Sequence, residues 1–205
     1  MTHHDMLKRM YYAQLEDGGV PTGGLVFYSP LNAKTDAETG QAISYLDVTY
    51  EDSYKGIGCI SQAAYGTNNA ITFNSSAFTG DTTYSIWFCP RDTDAREFSL
   101  LTLGTVSIAT CSRPELRLRG TRVAAGIVRD SWHSMQLTYS EGTFTAYLDG
   151  TLAGIVAYTP AETTAVLKNM SSTKYIHSWA NCRIYNRLLR PKEIQALAME
   201  LRPTA

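Results

Sequence analysis

The sequence has no long hydrophobic run: no window approaches the ~20 consecutive apolar residues of a membrane-spanning helix, so no membrane insertion is expected. Charge is also scarce, at 18% of residues against the ~25% of a typical soluble domain, and it nearly cancels to a net of -1. So even a balance argues against a nucleic-acid binder, whose phosphate contacts call for a strongly basic surface. Cysteine is limited to Cys59, Cys89, Cys111 and Cys182, with no C-x-x-C pair. That spacing suits neither zinc nor a redox motif and reads as buried small hydrophobes. The opening residues Met1 to Tyr12 lack the basic-then-apolar order of a secretory signal, so either a signal has been removed or the protein folds in a cytoplasm and leaves by another route, such as lysis. No G-x-S-x-G occurs, and Gly56-Ile-Gly58 has neither a third glycine nor a following helix, so nothing resembles a nucleophile elbow or a phosphate loop.

What is present falls into three zones. Residues 1–16 read as a helical arm: Thr2 and Asp5 fit a capping box, and Leu7, Tyr11 and Leu15 recur at four-residue spacing beside Met10. Residues 17–24 hold four glycines and a proline and read as a linker or hinge. From Leu25 onward the period is that of strands. Tyr84, Ile86 and Phe88 alternate with Ser85 and Trp87, and Met135, Leu137 and Tyr139 with Gln136 and Thr138. Phe144, Ala146 and Leu148 alternate with Thr145 and Tyr147, and the Asp149-Gly150 that follows is a hairpin signal. About a dozen short strands separated by turn signals predict an all-β, two-sheet sandwich or jelly roll. Pro191, at a first helical position, and the stripe Ile194, Leu197, Ala198 and Leu201 predict a C-terminal helix within the 25–205 domain.

Three motifs stand in order in the second half: Ser131-Trp132-His133 opening a strand, Tyr147-Leu-Asp-Gly150 at a hairpin, and Cys182-Arg-Ile-Tyr-Asn-Arg187 running into Pro191-Lys-Glu-Ile194. Upstream, Tyr84-Ser-Ile-Trp87 and Leu25-Val-Phe-Tyr-Ser-Pro-Leu31 fit the same pattern. Together they resemble the concanavalin A-like lectin/glucanase superfamily in its laminin G-like branch. Gly24 to Leu31 with Ala37-Glu-Thr-Gly40 is similar to laminin G-like proteins of bacteriophage virions. The resemblance implies an antiparallel two-sheet jelly roll. It implies no single activity, because lectins, adhesion modules, glucanases and virion proteins share it, so function must be argued from sites.

Glucanases of that superfamily carry Glu-x-Asp-x-x-Glu on a strand; here Asp92-Thr-Asp-Ala-Arg-Glu97 starts with Asp and reads as an exposed polar loop. No catalysis is expected, and a glycoside hydrolase resting on Asp94 and Glu97 is the remote alternative. His133 shares a face with Met135 and Leu137 and reads as a packed histidine. Asp36, Glu38, Asp47, Glu51, Asp52 and Asp81 form no run of calcium-ligand spacing, so solvated loop charge and no cofactor are expected, with loop-bound calcium as the alternative.

Thirteen tyrosines and three tryptophans supply faces that stack on sugars. Trp87 and Trp132 are assigned to packing. Trp179 takes an aliphatic place in the family pattern, with His177 and Tyr175 beside it, and is either a core residue or a glycan-stacking one. The loop residues Tyr65, Asn68 and Asn69 are further glycan candidates or an ordinary turn. Charge is uneven: residues 1–56 hold eight acids and four bases, whereas 113–129 hold five arginines and one acid. Arg117, Arg119 and Arg122 are expected on a basic face, with Arg117 and Arg119 on one side of one strand. The expected function is a non-catalytic recognition or structural module of a phage virion, in tail, fibre or capsid surface. The arm residues Leu7, Met10, Tyr11 and Leu15 would tether it to other virion proteins in a homo-oligomer that binds host cell-surface glycans. The alternative is a free-standing lectin-like domain on a bacterial cell surface.

Overall fold

The computed structural model describes residues 20–32, 36–46, 48–62, 70–74, 79–91, 97–112, 114–162, 164–168 and 177–200. The arm, with Leu7, Met10, Tyr11 and Leu15, lies outside the described residues, as do Tyr65, Asn68, Asn69, Asp94 and Tyr175. Among the described residues fifteen strands precede one helix. They are β1 (Leu25–Ser29), β2 (Ile43–Leu46), β3 (Val48–Tyr54), β4 (Ile57–Gln62), β5 (Ala70–Asn74), β6 (Thr82–Pro90), β7 (Glu97–Leu103) and β8 (Val106–Ser112). Then come β9 (Glu115–Leu118), β10 (Thr121–Ala125), β11 (His133–Ser140), β12 (Thr143–Leu148), β13 (Thr151–Ala157), β14 (Thr164–Lys168), β15 (His177–Tyr185) and the helix α1 (Pro191–Met199).

The strands form two antiparallel sheets. One has eight strands in the order β13-β12-β11-β6-β15-β4-β3, with β1 also paired to β15, and the other has seven in the order β10-β9-β8-β7-β14-β5-β2. The expected all-β two-sheet fold is what the chain forms. Each sheet turns one side of its alternation inward: Tyr84, Ile86 and Phe88 from β6 and Met135 and Leu137 from β11 meet Phe98, Leu101, Ile108, Leu116 and Leu167 of the other sheet. Near complete exclusion of water from so many large apolar side chains supplies the main driving force for this sandwich. β15 serves two neighbours along one edge, β4 against Ser178 and Trp179 and β1 against Cys182 to Tyr185. The register slips between Ala180 and Arg183, where Asn181 takes φ 55° and its N–H donates to the Pro30 carbonyl at 2.9 Å. That bulge lets one central strand pass from one partner to the next.

α1 begins at Pro191 as the sequence predicts. It buries Ile194, Leu197 and Ala198 on the outward side of the eight-stranded sheet, where Trp87 Nε1 donates to the Leu197 carbonyl at 3.1 Å. The described part of the Gly-rich stretch is tied to the body of the domain. Asn186 N–H donates to the Gly24 carbonyl at 2.8 Å, Arg187 Nε donates to the Gly23 carbonyl at 2.7 Å, and Val20 packs into the cluster under α1. Gly24 itself sits at φ 77°, and a side chain there would strike Asn186 and Arg187.

Candidate binding face

The outward side of the seven-stranded sheet is mostly polar, with Val166 and the half-exposed Leu46 among its apolar members. Ala165 and Leu167 point into the core, so Val166 points out, and its register partners Thr72 and Thr102 share that side. Ser44 pairs with Thr72, Ser99 with Thr110, Thr110 with Arg117, and Arg117 with Arg122. A transverse row therefore runs Ser44, Thr72, Val166, Thr102, Ser99, Thr110, Arg117, Arg122 across all seven strands. A slip of one residue in any strand would turn its member of the row into the core, so the row is fixed by the same register that fills the sandwich.

Within the row the hydroxyls are linked. Ser99 Oγ and Thr102 Oγ1 lie 2.7 Å apart, and Thr110 Oγ1 donates to Glu97 Oε1 at 2.5 Å. Glu97 and Glu115 flank Ser112 in the next row towards the β8–β9 turn, two strand spacings or ~10 Å apart. Arg117 donates to Glu115 Oε2 through Nε at 3.0 Å and Nη2 at 2.8 Å, and Arg122 Nη1 lies 3.4 Å from the other oxygen. The Glu115 hydrogen bonds and charge hold the Arg117 pKa above the ordinary arginine value. Ser99 and Thr102 are wholly buried and Thr110 nearly so. What reaches the surface along the row is Ser44, Thr72 and Val166 towards one edge and the Glu115-braced Arg117 and Arg122 towards the other, groups held at fixed places.

The outward side of the eight-stranded sheet is arranged otherwise. α1 covers its middle, and the β3–β4 hairpin forms its edge beyond β15. There the Arg91 guanidinium lies 3.6 Å from the Tyr54 ring centroid and donates to Glu51 Oε1 at 2.5 Å and Ser61 Oγ at 3.1 Å. Tyr54 OH donates to Asp130 Oδ1 at 2.6 Å, and Trp132 Nε1 donates to the Tyr54 carbonyl at 2.9 Å. Burial first, and then the Asp130 hydrogen bond, push the Tyr54 phenol up to about 12. These groups satisfy one another and pin the hairpin to the sheet.

The structure disperses the residues singled out from sequence. Trp179 is fully buried and His177 is 2% exposed, its ring stacked on Phe98 with centroids 3.7 Å apart. Neither presents a face to a sugar, because β15 is a central strand with both sides covered. Arg119 departs from the expected face: β9 ends at Leu118, Arg119 turns at φ 48°, and its guanidinium lies 4.3 Å from the Tyr158 ring centroid. Arg117 and Arg122 do share a face. Glu97 is no loop residue but the first of β7, half-buried. The acids considered for calcium are spread apart: Asp36 Oδ1 accepts from Ile43 N–H, Asp81 Oδ1 accepts from Ser140 Oγ, and Glu51 holds Arg91. Glu38 is exposed, Asp47 lies outside the described residues, and so does the Asp52 side chain. Among the described residues no group of three or more His, Cys, Asp or Glu could hold an ion. Sequence reasoning missed Ser99, Thr102 and Thr110; their alternation with apolar neighbours was the available signal.

No protein-family model and no curated protein matches the chain. Solved structures do. The binding domain of Paraclostridial mosquitocidal protein 1 superposes with TM-score 0.67 at 15% identity, over 86% of this chain and 52% of that one. Trypanosoma rangeli sialidase gives TM-score 0.71 at 13% identity, over 96% of this chain and 38% of that one. The binding domain of botulinum neurotoxin serotype D gives 0.66 at 9% identity, over 87% and 52%. The chain thus spans about half or less of each of these proteins, and the likeness establishes a shared β-sandwich jelly-roll fold. It also corrects one expectation. Sialidases are enzymes and stand among the chains that share this fold, so the reading of the chain as not an enzyme is withdrawn.

Proposed function

We propose that the chain is a glycan-recognition domain that receives a sugar chain along the outward face of its seven-stranded sheet. The accessible members of the row, Ser44, Thr72 and Val166 on one side and Arg117 and Arg122 on the other, carry this reading. Sugars offer closely spaced hydroxyls that are held well by donors and acceptors already fixed in place, since little ordering remains to be done on binding. Arg117 and Arg122 are braced by Glu115, so these accessible polar groups are set before a ligand arrives. The half-buried Val166 and Thr72 add a flat apolar strip for the C–H face of a sugar ring. The toxin binding domains that share the sandwich support recognition as a use of this architecture. The setting we assign is a phage virion, in tail, fibre or capsid surface, a reading supported by the sequence pattern of Gly24 to Leu31.

The test is a glycan array probed with the full-length chain, followed by titration calorimetry on the retained glycans. Arg117→Ala with Arg122→Ala should weaken binding by at least about tenfold, or ~1.4 kcal/mol. A chain that retains no glycan, or one whose affinity is unchanged in the double variant, would overturn the proposal.

A further inference from the structure

β13 is an edge strand with an apolar strip that nothing covers among the described residues. Phe144 and Ala146 of β12 point into the core, so Thr145 and Tyr147 point outward, and their register partners Ile155 and Leu152 share that side. Leu152 is 57% exposed and Ile155 61%. Edge strands of soluble proteins are usually guarded by charge, as β3 is by Glu51 and β10 by Arg122, yet no charged residue occurs from Thr151 to Ala161. The strip continues into the apolar cluster beneath α1: Tyr147, paired with Leu152, packs there with Tyr185, Leu189, Ile194 and Leu197. Val20, where the described chain begins, packs into that same cluster.

We propose that the N-terminal segment, residues 1–16, docks on this strip and lays Leu7, Met10, Tyr11 and Leu15 over Leu152 and Ile155 beside α1. The point of entry selects the occupant. Leu15 is five residues from Val20, a reach of at most ~17 Å, and Leu152 lies one strand spacing, ~4.8 Å, from Tyr147 in the cluster that holds Val20. A tether that short gives an effective concentration in the millimolar range, which a second copy of the chain or a foreign protein would have to exceed. The segment also needs a surface: its apolar residues fall at the spacing of one helical stripe, and a helix of that length is marginal alone.

The four native cysteines are all buried, so a thiol placed at Ile155 is read alone by a maleimide. In full-length Ile155→Cys protein, labelling should be at least about tenfold slower than in the same variant carrying Leu7→Asp, Tyr11→Asp and Leu15→Asp, since closing the strip lowers the open fraction. The rate should not change on dilution. Equal rates in the two proteins would overturn the proposal, as would slow labelling that quickens on dilution, which would assign the strip to another copy. In a second measurement, oxidation of the Tyr11→Cys, Ile155→Cys variant should yield a cross-linked monomer, and a disulfide-linked dimer or no cross-link would count against it.

Discussion

Arg183 and Glu200 meet as a two-pronged ion pair, Nη1 donating to Oε2 and Nη2 to Oε1, each at 2.6 Å. Their side chains are only 6% and 10% exposed. Asn181 Nδ2 donates to the same carboxylate at 2.6 Å, and the guanidinium lies 4.4 Å from the Tyr28 ring centroid. Burial works against the Arg183 cation, but the Glu200 hydrogen bonds and charge outweigh it and raise the arginine pKa. The pair fastens the end of α1 to the bulged part of β15.

Removing one partner should therefore cost more than removing both. Arg183→Met leaves a buried carboxylate unpaired, and a loss of ~3–5 kcal/mol is expected from urea unfolding. The double variant Arg183→Met, Glu200→Met should lose markedly less, because no charge stays buried. If the single variant lost under about 1 kcal/mol, the pair would be behaving like an exposed one.

A second expectation concerns acid. His177 is buried against Phe98, neither ring nitrogen has a hydrogen-bond partner among the described residues, and burial pushes its pKa down from 6.5 to about 3. The unfolded chain takes up this proton below pH ~6.5 and the folded chain does not until about 3, so the stabilising contribution is complete above 6.5 and is lost as pH falls from there. The slope from this one group reaches at most ~1.4 kcal/mol per pH unit. Urea midpoints between pH 7 and 5 should fall less in His177→Phe than in the parent, and parallel curves would show that the buried imidazole is not responsible.

The helix start gives a third. Glu193 accepts from Arg190 N–H at 2.8 Å and from Arg187 Nη1 and Nη2 at 2.9 and 2.6 Å. The Arg187 hydrogen bonds hold its pKa near 2, well below the usual carboxylate range. Glu193→Ala removes both the cap and the partner of Arg187, and a loss of ~1 kcal/mol is expected. A depressed carboxylate pKa means that its share is present above the ordinary value of 4.5 and fades as pH drops towards 2. Parent and variant should therefore converge in strong acid, and a gap that stays constant with pH would refute the assignment.

These local devices were legible to different degrees before the structure. The Asp149-Gly150 hairpin and the helix start at Pro191 follow from short-range turn and capping chemistry, and both occur where the sequence places them. His133 is the packed histidine its strand period suggests: Nε2 accepts from Val128 N–H at 3.1 Å and Nδ1 pairs with Asp149 Oδ2 at 2.8 Å. Trp179 was open between core and ligand because alternation separates two sides only when one of them is wet, and β15 is buried on both. Glu97 was misplaced because a polar run looks like a loop until the buried Phe98, Leu100 and Leu101 that follow it are counted. The row across the seven-stranded sheet was out of reach altogether. Its members come from Ser44 to Arg122 and Val166, and only long-range register brings them side by side.

The last prediction turns on a glycine that two sheets share. An ideal Cβ on Gly154 would stand 2.7 Å from both Cβ and Cγ1 of Val123, so β13 and β10, edge strands of opposite sheets, press together there. Gly154 does not sit in the left-handed region, so backbone strain plays no part. In an open strand, replacing glycine with alanine stabilises by roughly 0.5–1 kcal/mol, through the smaller entropy lost on folding. At this site overpacking should reverse the sign and cost ~1–3 kcal/mol, because the obstructing atoms are a branched side chain close to its own backbone. Thermal unfolding of Gly154→Ala thus separates the two cases by direction alone: a lowered midpoint supports the close approach of the sheet edges, and a raised one means that they stand apart in solution.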